Sequence, residues 1–152
     1  MIHSPTCQHA LRALIYLAAK NAPGPVLVRE IAEAADVPQP TLAKILHSLR
    51  GRGLVRSTKG PGGGYQLARP GNQLRVADVI EAVEGRVELD QVCVLGLDTC
   101  SDEASCALHD VWKLFRHNYA ATLSSMTLYD AAEVLTAKRS SRAAKEGATH
   151  QP

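Results

Sequence analysis

The sequence predicts a mainly α-helical fold that includes one small β-hairpin. Apolar residues recur at intervals of three and four in several segments, a spacing that predicts amphipathic helices. Two of these segments, 29–35 and 39–50, are separated by only three residues. A glycine-rich stretch at 59–64 lies between two segments of strand-forming character, which predicts a hairpin.

The first three helices are predicted from their apolar faces. The first spans 9–19, and the breakers Pro23, Gly24 and Pro25 follow its end. The third helix tolerates Pro40 because a first-turn residue needs no N–H partner. The inner faces comprise Leu11, Leu14, Ile15 and Ala18, then Ile31, Ala32 and Ala35, then Leu42, Ile45, Leu46 and Leu49.

The remaining elements follow in order along the chain. Strands are expected at 54–58 and 65–68, a helix at 76–83 before Gly85, and an irregular segment at 88–101. Ser101 is expected to cap a long helix that reaches about residue 124, with Asp102 and Glu103 in its first turn. Leu108, Val111, Trp112, Phe115 and Tyr119 are its apolar positions.

The C-terminal part is expected to hold one more helix and a tail. Thr127 is a suitable cap for a helix at 128–135, and the polar, small-residue composition after residue 136 predicts disorder. We therefore expect residues 1–84 and 85–135 to form one compact unit, followed by a disordered tail at 136–152.

The distribution of charge is more informative than its total. The net charge is only +2, but residues 44–75 contain seven Lys and Arg residues and no acid. Such asymmetry is typical of a surface that faces phosphate. No apolar run approaches the roughly 20 residues of a membrane helix, and no basic leader precedes the apolar stretch at 11–19. A cytosolic protein without membrane contact is therefore expected.

Two helices joined by a three-residue turn and followed by a hairpin are the winged helix-turn-helix plan. The glycine run is not expected to bind phosphate as a nucleotide loop, because it leads into a strand and no Lys-Ser/Thr pair follows it. We expect double-stranded DNA to contact the outer face of the third helix and the hairpin tip. The candidate residues are Gln39, Pro40, Thr41, Ala43, Lys44 and His47 on the helix, and Lys59, Gly60, Pro61 and Gly62 on the wing.

Three of the four cysteines form a candidate metal-binding constellation. Cys93, Cys100 and Cys106 have the spacing C-x6-C-x5-C, and His109 follows Cys106 by three residues. Their chemistry alone leaves an iron–sulfur cluster, a zinc site and a thiol switch or inert thiols open. Cys7 lies one turn before Leu11 on the same helix face, and a buried core thiol is its expected role.

Three segments resemble the Rrf-two (Rrf2) superfamily of bacterial regulators: 10–18, 49–55 and, most specifically, the wing at 60–65. The resemblance covers residues 1–135. It implies a homodimer joined mainly through the long helix and an iron–sulfur cluster on the three clustered cysteines. The helix-turn-helix, the acid-free basic stretch and the long interface helix together predict that the dimer binds a palindromic operator.

The resemblance also bears on the fourth ligand of such a cluster. The IscR branch of the superfamily has a histidine three residues after its third cysteine, as His109 is here, although the first cysteine gap is one residue longer in this chain. The NsrR branch uses an Asp in the first helix, where this chain has Gln8. These features favour His109 and a 2Fe–2S cluster over a 4Fe–4S cluster.

Two rival classes remain at this stage. Cys106 with His109 could indicate nucleophilic catalysis, but the sequence has no oxyanion motif or cofactor fingerprint. A regulator of the same family could also respond to zinc, to thiol oxidation or to a small molecule. We predict a DNA-binding regulator, most simply a repressor, controlled by an iron–sulfur cluster that senses redox state, nitric oxide or iron–sulfur status.

Overall fold

The computed structural model describes residues 3–85, 93–97 and 101–148, with side chains as far as residue 138. Its fold is mainly helical with one two-stranded antiparallel hairpin, as predicted. In chain order the elements are α1 (Pro5–Lys20), α2 (Val28–Ala35), α3 (Gln39–Gly51), β1 (Val55–Thr58), β2 (Gly64–Leu67), a 3₁₀ turn (Gly71–Gln73), α4 (Val76–Glu84), α5 (His109–Ser125) and α6 (Leu128–Ala148).

Helix α1 begins four residues earlier than its apolar periodicity predicts. Ser4 adopts an extended conformation, and its Oγ accepts a hydrogen bond from the Cys7 N–H at 3.2 Å. Pro5 occupies the first helical turn, where its missing N–H costs nothing. A Ser-Pro start is therefore the true N-terminal signal, and it adds Cys7 to the helix.

The helix-turn-helix forms as predicted. Helix α2 ends at Asp36, whose left-handed conformation (φ 54°) reverses the chain and satisfies the last carbonyls through its N–H. Val37 is buried beneath the turn, and α3 then starts with Pro40 in its first turn. The four predicted inner residues of α3 are all buried: Leu42, Ile45, Leu46 and Leu49.

The hairpin packs directly against the start of the helix-turn-helix. Strands β1 and β2 pair in the register Val55↔Leu67 to Thr58↔Gly64. Tyr65 of β2 also forms an antiparallel bridge with Val26, just before α2, through hydrogen bonds of 2.8 and 2.9 Å. This bridge fixes the hairpin relative to α2 and α3.

Helix α1 lies at the centre of the core and packs against α2, α3, α4 and α6. Its side chains Leu14 and Leu17 are buried together with residues of each of these helices. Burial of this kind stabilises the fold by about 25 cal/mol per Å² of apolar surface. The helix-turn-helix and the C-terminal helices therefore share one apolar core.

The long helix α5 starts later than predicted. Ser101 does not cap a helix: its Oγ accepts the Ala104 N–H at 3.2 Å within a local turn, and α5 begins at His109. The carboxylate of Asp102, expected in the first helical turn, contacts His109 and Lys113 instead. Cys106 therefore lies in the turn before the helix and not on it.

The last helix is longer than predicted. It begins at Leu128, and a Thr127–Asp130 capping box holds its first turn, as the Thr127 cap predicted. It continues to Ala148, so residues 136–148 are helical where disorder was expected. Ala, Lys, Arg and Glu dominate this stretch, and their high helix propensities account for the extension. Residues 149–152 lie outside the described part of the chain.

Within the described segments, no helix combines the length and the hydropathy needed to cross a bilayer.

Candidate nucleic-acid interface and cysteine region

The outer face of α3 is polar and exposed. Five of the six predicted contact residues on this helix are exposed, and Ala43 is half-buried. The buried side of the same helix anchors it in the core, so the exposed side is presented rigidly. The exposed set consists of Gln39, Pro40, Thr41, Lys44 and His47. Small and hydrogen-bonding side chains on such a face suit base edges, and Lys44 suits a phosphate.

The wing tip is also exposed, and its base is tied to α3. Lys59, Gly60, Pro61 and Gly62 are exposed at the end of the hairpin. Below them, the Arg50 guanidinium of α3 donates a hydrogen bond to Ser57 Oγ at 3.1 Å. Wing and recognition helix therefore keep a defined relative position.

An open groove of about 590 Å³ lies between α3 and the wing. It is lined by three cationic residues, Arg29, Arg50 and Lys59, and none of its described lining residues is acidic. Lys59 was predicted as a contact residue and Arg50 belongs to the basic stretch at 44–75, whereas Arg29 was not predicted from the sequence. Arg29 lies at the start of α2, distant in sequence from the basic stretch at 44–75. Its place in the lining of the groove therefore follows only from the packing of α2 beside the wing.

Of the predicted metal ligands, three lie in the described part of the chain. Cys93 is buried and forms the start of a turn in which its carbonyl accepts the Gly96 N–H at 3.0 Å. Cys106 is half-buried, and its carbonyl accepts the His109 N–H at 3.0 Å. Cys100 lies outside the described residues. Among the residues that the structure describes, which leave out Cys100, no set of three ligand atoms within 4.8 Å of one another includes Cys93, Cys106 or His109.

His109 is buried and oriented by a carboxylate. Its Nε2 lies 2.8 Å from Asp102 Oδ1, and Lys113 Nζ donates to both oxygens of Asp102 at 2.7 Å. The hydrogen bonds from Lys113 and then from His109 lower the pKa of Asp102, so the carboxylate stays ionised beside the imidazole. Histidines that bind metals commonly have such a carboxylate partner. From the sequence, Asp102 was expected only in the first turn of a helix.

The recognition helix, the fixed wing and the cationic groove between them define a DNA-binding winged-helix protein. A family model described as an iron-dependent transcriptional regulator, Rrf2, matches residues 4–133. A putative HTH-type transcriptional regulator of Aquifex aeolicus is 37% identical over 132 residues, 86% of this chain and 90% of the relative. The IscR regulator of Xenorhabdus nematophila is 32% identical over 121 residues, 80% of this chain and 73% of the relative.

Solved structures give the same result. CymR, the global cysteine regulator of B. subtilis, superimposes with a TM-score of 0.73 at 28% identity, covering 88% of this chain and 98% of that one. IscR of T. potens gives a TM-score of 0.67 at 28% identity, covering 89% and 88%. The chain therefore belongs to the Rrf2 family of transcriptional regulators. Its relatives are regulators and not enzymes, which confirms the predicted class.

Proposed function

We propose that the chain is a homodimeric repressor whose affinity for a palindromic operator is controlled by an iron–sulfur cluster. The observation that carries the DNA-binding part is the cationic groove between the exposed face of α3 and the wing. In this proposal α3 lies in the major groove, Thr41 and Ala43 face base edges, and Lys44 and Lys59 meet phosphates. Such a regulator acts on DNA in the cytoplasm.

The exposed apolar face of α5 supports a dimer. Val111, Leu114 and Phe115 are 72%, 63% and 39% exposed, although large apolar residues on one helix usually pack against a partner. Trp112, Phe115 and Tyr119 form a row of stacked rings, with centroids 5.3 and 5.5 Å apart. A second copy of α5 packed on this face would give the two-fold symmetry that a palindromic operator requires.

The dimer is tested by Leu114→Glu, which places a charge on this face. The variant should sediment as a monomer and bind a single half-site weakly. Lys113→Glu, on the neighbouring position of α5, is unsuitable as a control because Lys113 holds Asp102. Glu133→Lys on α6 is the better control and should remain dimeric. A dimeric Leu114→Glu variant would contradict the assignment of α5.

The donor chemistry of the cysteine region, and not a close grouping of its described ligand atoms, supports the cluster. Cys93, Cys100, Cys106 and His109 would hold it, and the donor set of three soft thiolates and one imidazole suits a 2Fe–2S cluster. The Asp102–His109 contact would orient the imidazole, as outer partners of ligand histidines do. When bound, such a group supplies a centre that oxidants, nitric oxide and iron shortage alter.

The test is elemental analysis and operator binding of protein purified without oxygen. The expected result is iron and acid-labile sulfide in the wild type, and their loss in Cys93→Ala, Cys100→Ala and Cys106→Ala. Cys7→Ala should retain both. Wild type, cluster-free protein and His109→Ala should differ in operator affinity under the same conditions. Stoichiometric zinc without sulfide would falsify the cluster, and equal affinities would remove its regulatory role.

A thiol switch is the second candidate. The specific observation in its favour is the fold similarity to CymR, a cysteine regulator whose S. aureus form has also been solved in an oxidised state. Cys106 is a free thiol and is half-buried, so reagents can reach it. Under this hypothesis, colourless iron-free protein changes its operator affinity on treatment with peroxide, and Cys106→Ser abolishes the change.

A further inference from the structure

A second group of potential metal ligands lies away from the clustered cysteines. It is formed by His3 just before α1, Cys7 in the first turn of α1, and Glu84 at the end of α4. One ligand atom of each residue lies within 4.8 Å of the other two. Cys7 is fully buried, and the side chains of His3 and Glu84 are only 17% and 16% exposed.

The three side chains are held in place before any ion binds. The carboxylate of Glu84 accepts hydrogen bonds from His3 Nδ1–H and from the Ser4 N–H, both at 2.7 Å. Although burial opposes ionisation, these two donors lower the pKa of Glu84. The other ring nitrogen of His3 shares a hydrogen bond with the Tyr119 hydroxyl of α5, and the two rings stack at 5.9 Å. His3 therefore has the outer partner that ligand histidines require.

The hydrogen bonds account for the positions of His3, Glu84 and Tyr119. Cys7 is buried in the apolar core, as its helix position predicted, and its thiol lies at the edge of that core beside the two polar ligands. Cys7 lies in the first turn of a sixteen-residue helix, where backbone N–H groups favour a thiolate. Burial, followed by the charge of Glu84, raises the pKa of Cys7 to about 11. A cation between the sulfur and the carboxylate would lower the pKa of Cys7, because it compensates the negative charges of the thiolate and of Glu84 at once.

The donor set selects the class of ion. A thiolate, an imidazole and a carboxylate are the ligands of Zn²⁺ and its neighbours, whereas Mg²⁺ and Ca²⁺ take oxygen ligands only. With Zn–S of about 2.3 Å and Zn–N or Zn–O of about 2.0–2.2 Å, tetrahedral ligands lie roughly 3.3–3.7 Å apart. The observed separations are within 4.8 Å, so rotamer-scale movements close the site.

We infer that His3, Cys7 and Glu84 bind a divalent ion of the Zn²⁺ class, in a site separate from the Cys93–Cys100–Cys106 region. On binding, the Cys7 thiol loses its proton to solvent. The Nδ1 proton of His3 moves to Nε2, where the Tyr119 oxygen accepts it. Three protein ligands leave a fourth position for water or for a ligand from a partner.

The position of the site gives it a structural consequence. It joins the start of α1 to the end of α4, and through Tyr119 it reaches α5. Helix α1 packs against both helices of the helix-turn-helix. The bound ion would therefore fix the DNA-binding unit against the helix that carries the proposed dimer face, and it would do so independently of the clustered cysteines.

The test is a Zn²⁺ titration of the full-length chain, purified without oxygen, in competition with a chromophoric chelator. Wild type should bind Zn²⁺ here, and Cys7→Ser and Glu84→Gln should weaken this binding by at least about 100-fold. This exceeds the roughly 10-fold expected for Tyr119→Phe, which removes only an outer partner. Glu81→Gln, an exposed carboxylate one turn earlier on α4, is the matched control and should bind like wild type.

His3→Gln covers the case in which Cys7→Ser fails to fold, because His3 precedes α1 and lies outside its core. It should lose Zn²⁺ affinity at least about 10-fold and also lose the Zn²⁺-dependent rise in thermal midpoint. Wild-type affinity in His3→Gln and Glu84→Gln would overturn the inference. So would loss of zinc in Cys106→Ser together with its retention in Cys7→Ser. Iron and sulfide, measured on the same samples, report on the cluster separately.

Discussion

Gly64 at the start of β2 lies in close contact with Val26, just before α2, and replacing Gly64 with alanine tests this contact between the wing and the helix-turn-helix. A Cβ at this position would lie 2.1 Å from the Val26 carbonyl oxygen and 2.5 Å from its carbon. Real Cβ atoms do not approach within 3.0 Å, so the two backbones must separate by about 1 Å. The side chain cannot rotate away, because the Cβ position is fixed by the backbone.

The cost follows from the two hydrogen bonds that this separation breaks. Val26 and Tyr65 exchange hydrogen bonds of 2.8 and 2.9 Å, and Val26 is buried. Each bond contributes about 0.5–1.5 kcal/mol net, and buried groups left without partners cost more. We expect Gly64→Ala to lower the free energy of unfolding by about 2–4 kcal/mol. Operator affinity should fall as well, because the wing is no longer fixed beside α3.

Urea unfolding followed by circular dichroism measures the first effect, and operator binding of the folded fraction measures the second. Gly51→Ala is the matched control: it makes the same substitution at the end of α3, where an added Cβ meets nothing within 4 Å. The control should be at least as stable as wild type, because Ala is favoured over Gly at a helical position by up to about 1 kcal/mol. If Gly64→Ala is also at least as stable as wild type, the close approach between wing and helix-turn-helix is wrong.

Three further predictions address the core, the last helix and the phosphate contact. Leu14→Ala, at a fully buried position, should lower the free energy of unfolding measured in urea by about 2–5 kcal/mol. Val134→Ala, at a 64% exposed position, should change this free energy little. Hydrogen bonds from the Thr127 side chain and backbone lower the pKa of Asp130 in the folded protein. The ionised Asp130 therefore stabilises the fold above the unfolded-state pKa of about 3.9. This stabilisation is lost as the pH falls through the lower pKa of the folded state. Thermal midpoints should therefore fall more steeply with acid in wild type than in Asp130→Asn, and parallel curves would contradict this. Lys59→Ala should weaken binding to all duplexes alike and reduce the slope of log affinity against log salt by about 1, and an unchanged slope would remove Lys59 from the phosphate contacts.

The helix-turn-helix and the hairpin were predictable from the sequence because their signals are local. Leu42, Ile45, Leu46 and Leu49 repeat with helical spacing and are all buried, and the glycine run leaves one place for the hairpin turn. The exposed face of α3 follows from the same periodicity, since the residues between the buried ones face outward. The groove cation Arg29 was missed because its exposure beside the wing depends on how α2 packs.

The start of α5 differs from the start that the local sequence predicts, because contacts between residues farther apart decide it. Ser101, Asp102 and Glu103 are a favourable helix start by composition. In the folded protein the Asp102 carboxylate instead contacts the buried His109 and Lys113, seven and eleven positions ahead, and the helix begins only at His109.

What the sequence by itself determined is the succession of elements and the apolar face of each, since both depend on spacing along the chain. Only the tertiary structure decided which polar residues meet. His3 and Cys7 are only four positions apart, but Glu84 lies 81 positions after His3, and nothing local in the sequence indicates that the three side chains meet. They meet because α1 and α4 pack together with the start of α1 beside the end of α4. The choice between alternative packings of two apolar faces depends on side-chain complementarity over the whole core.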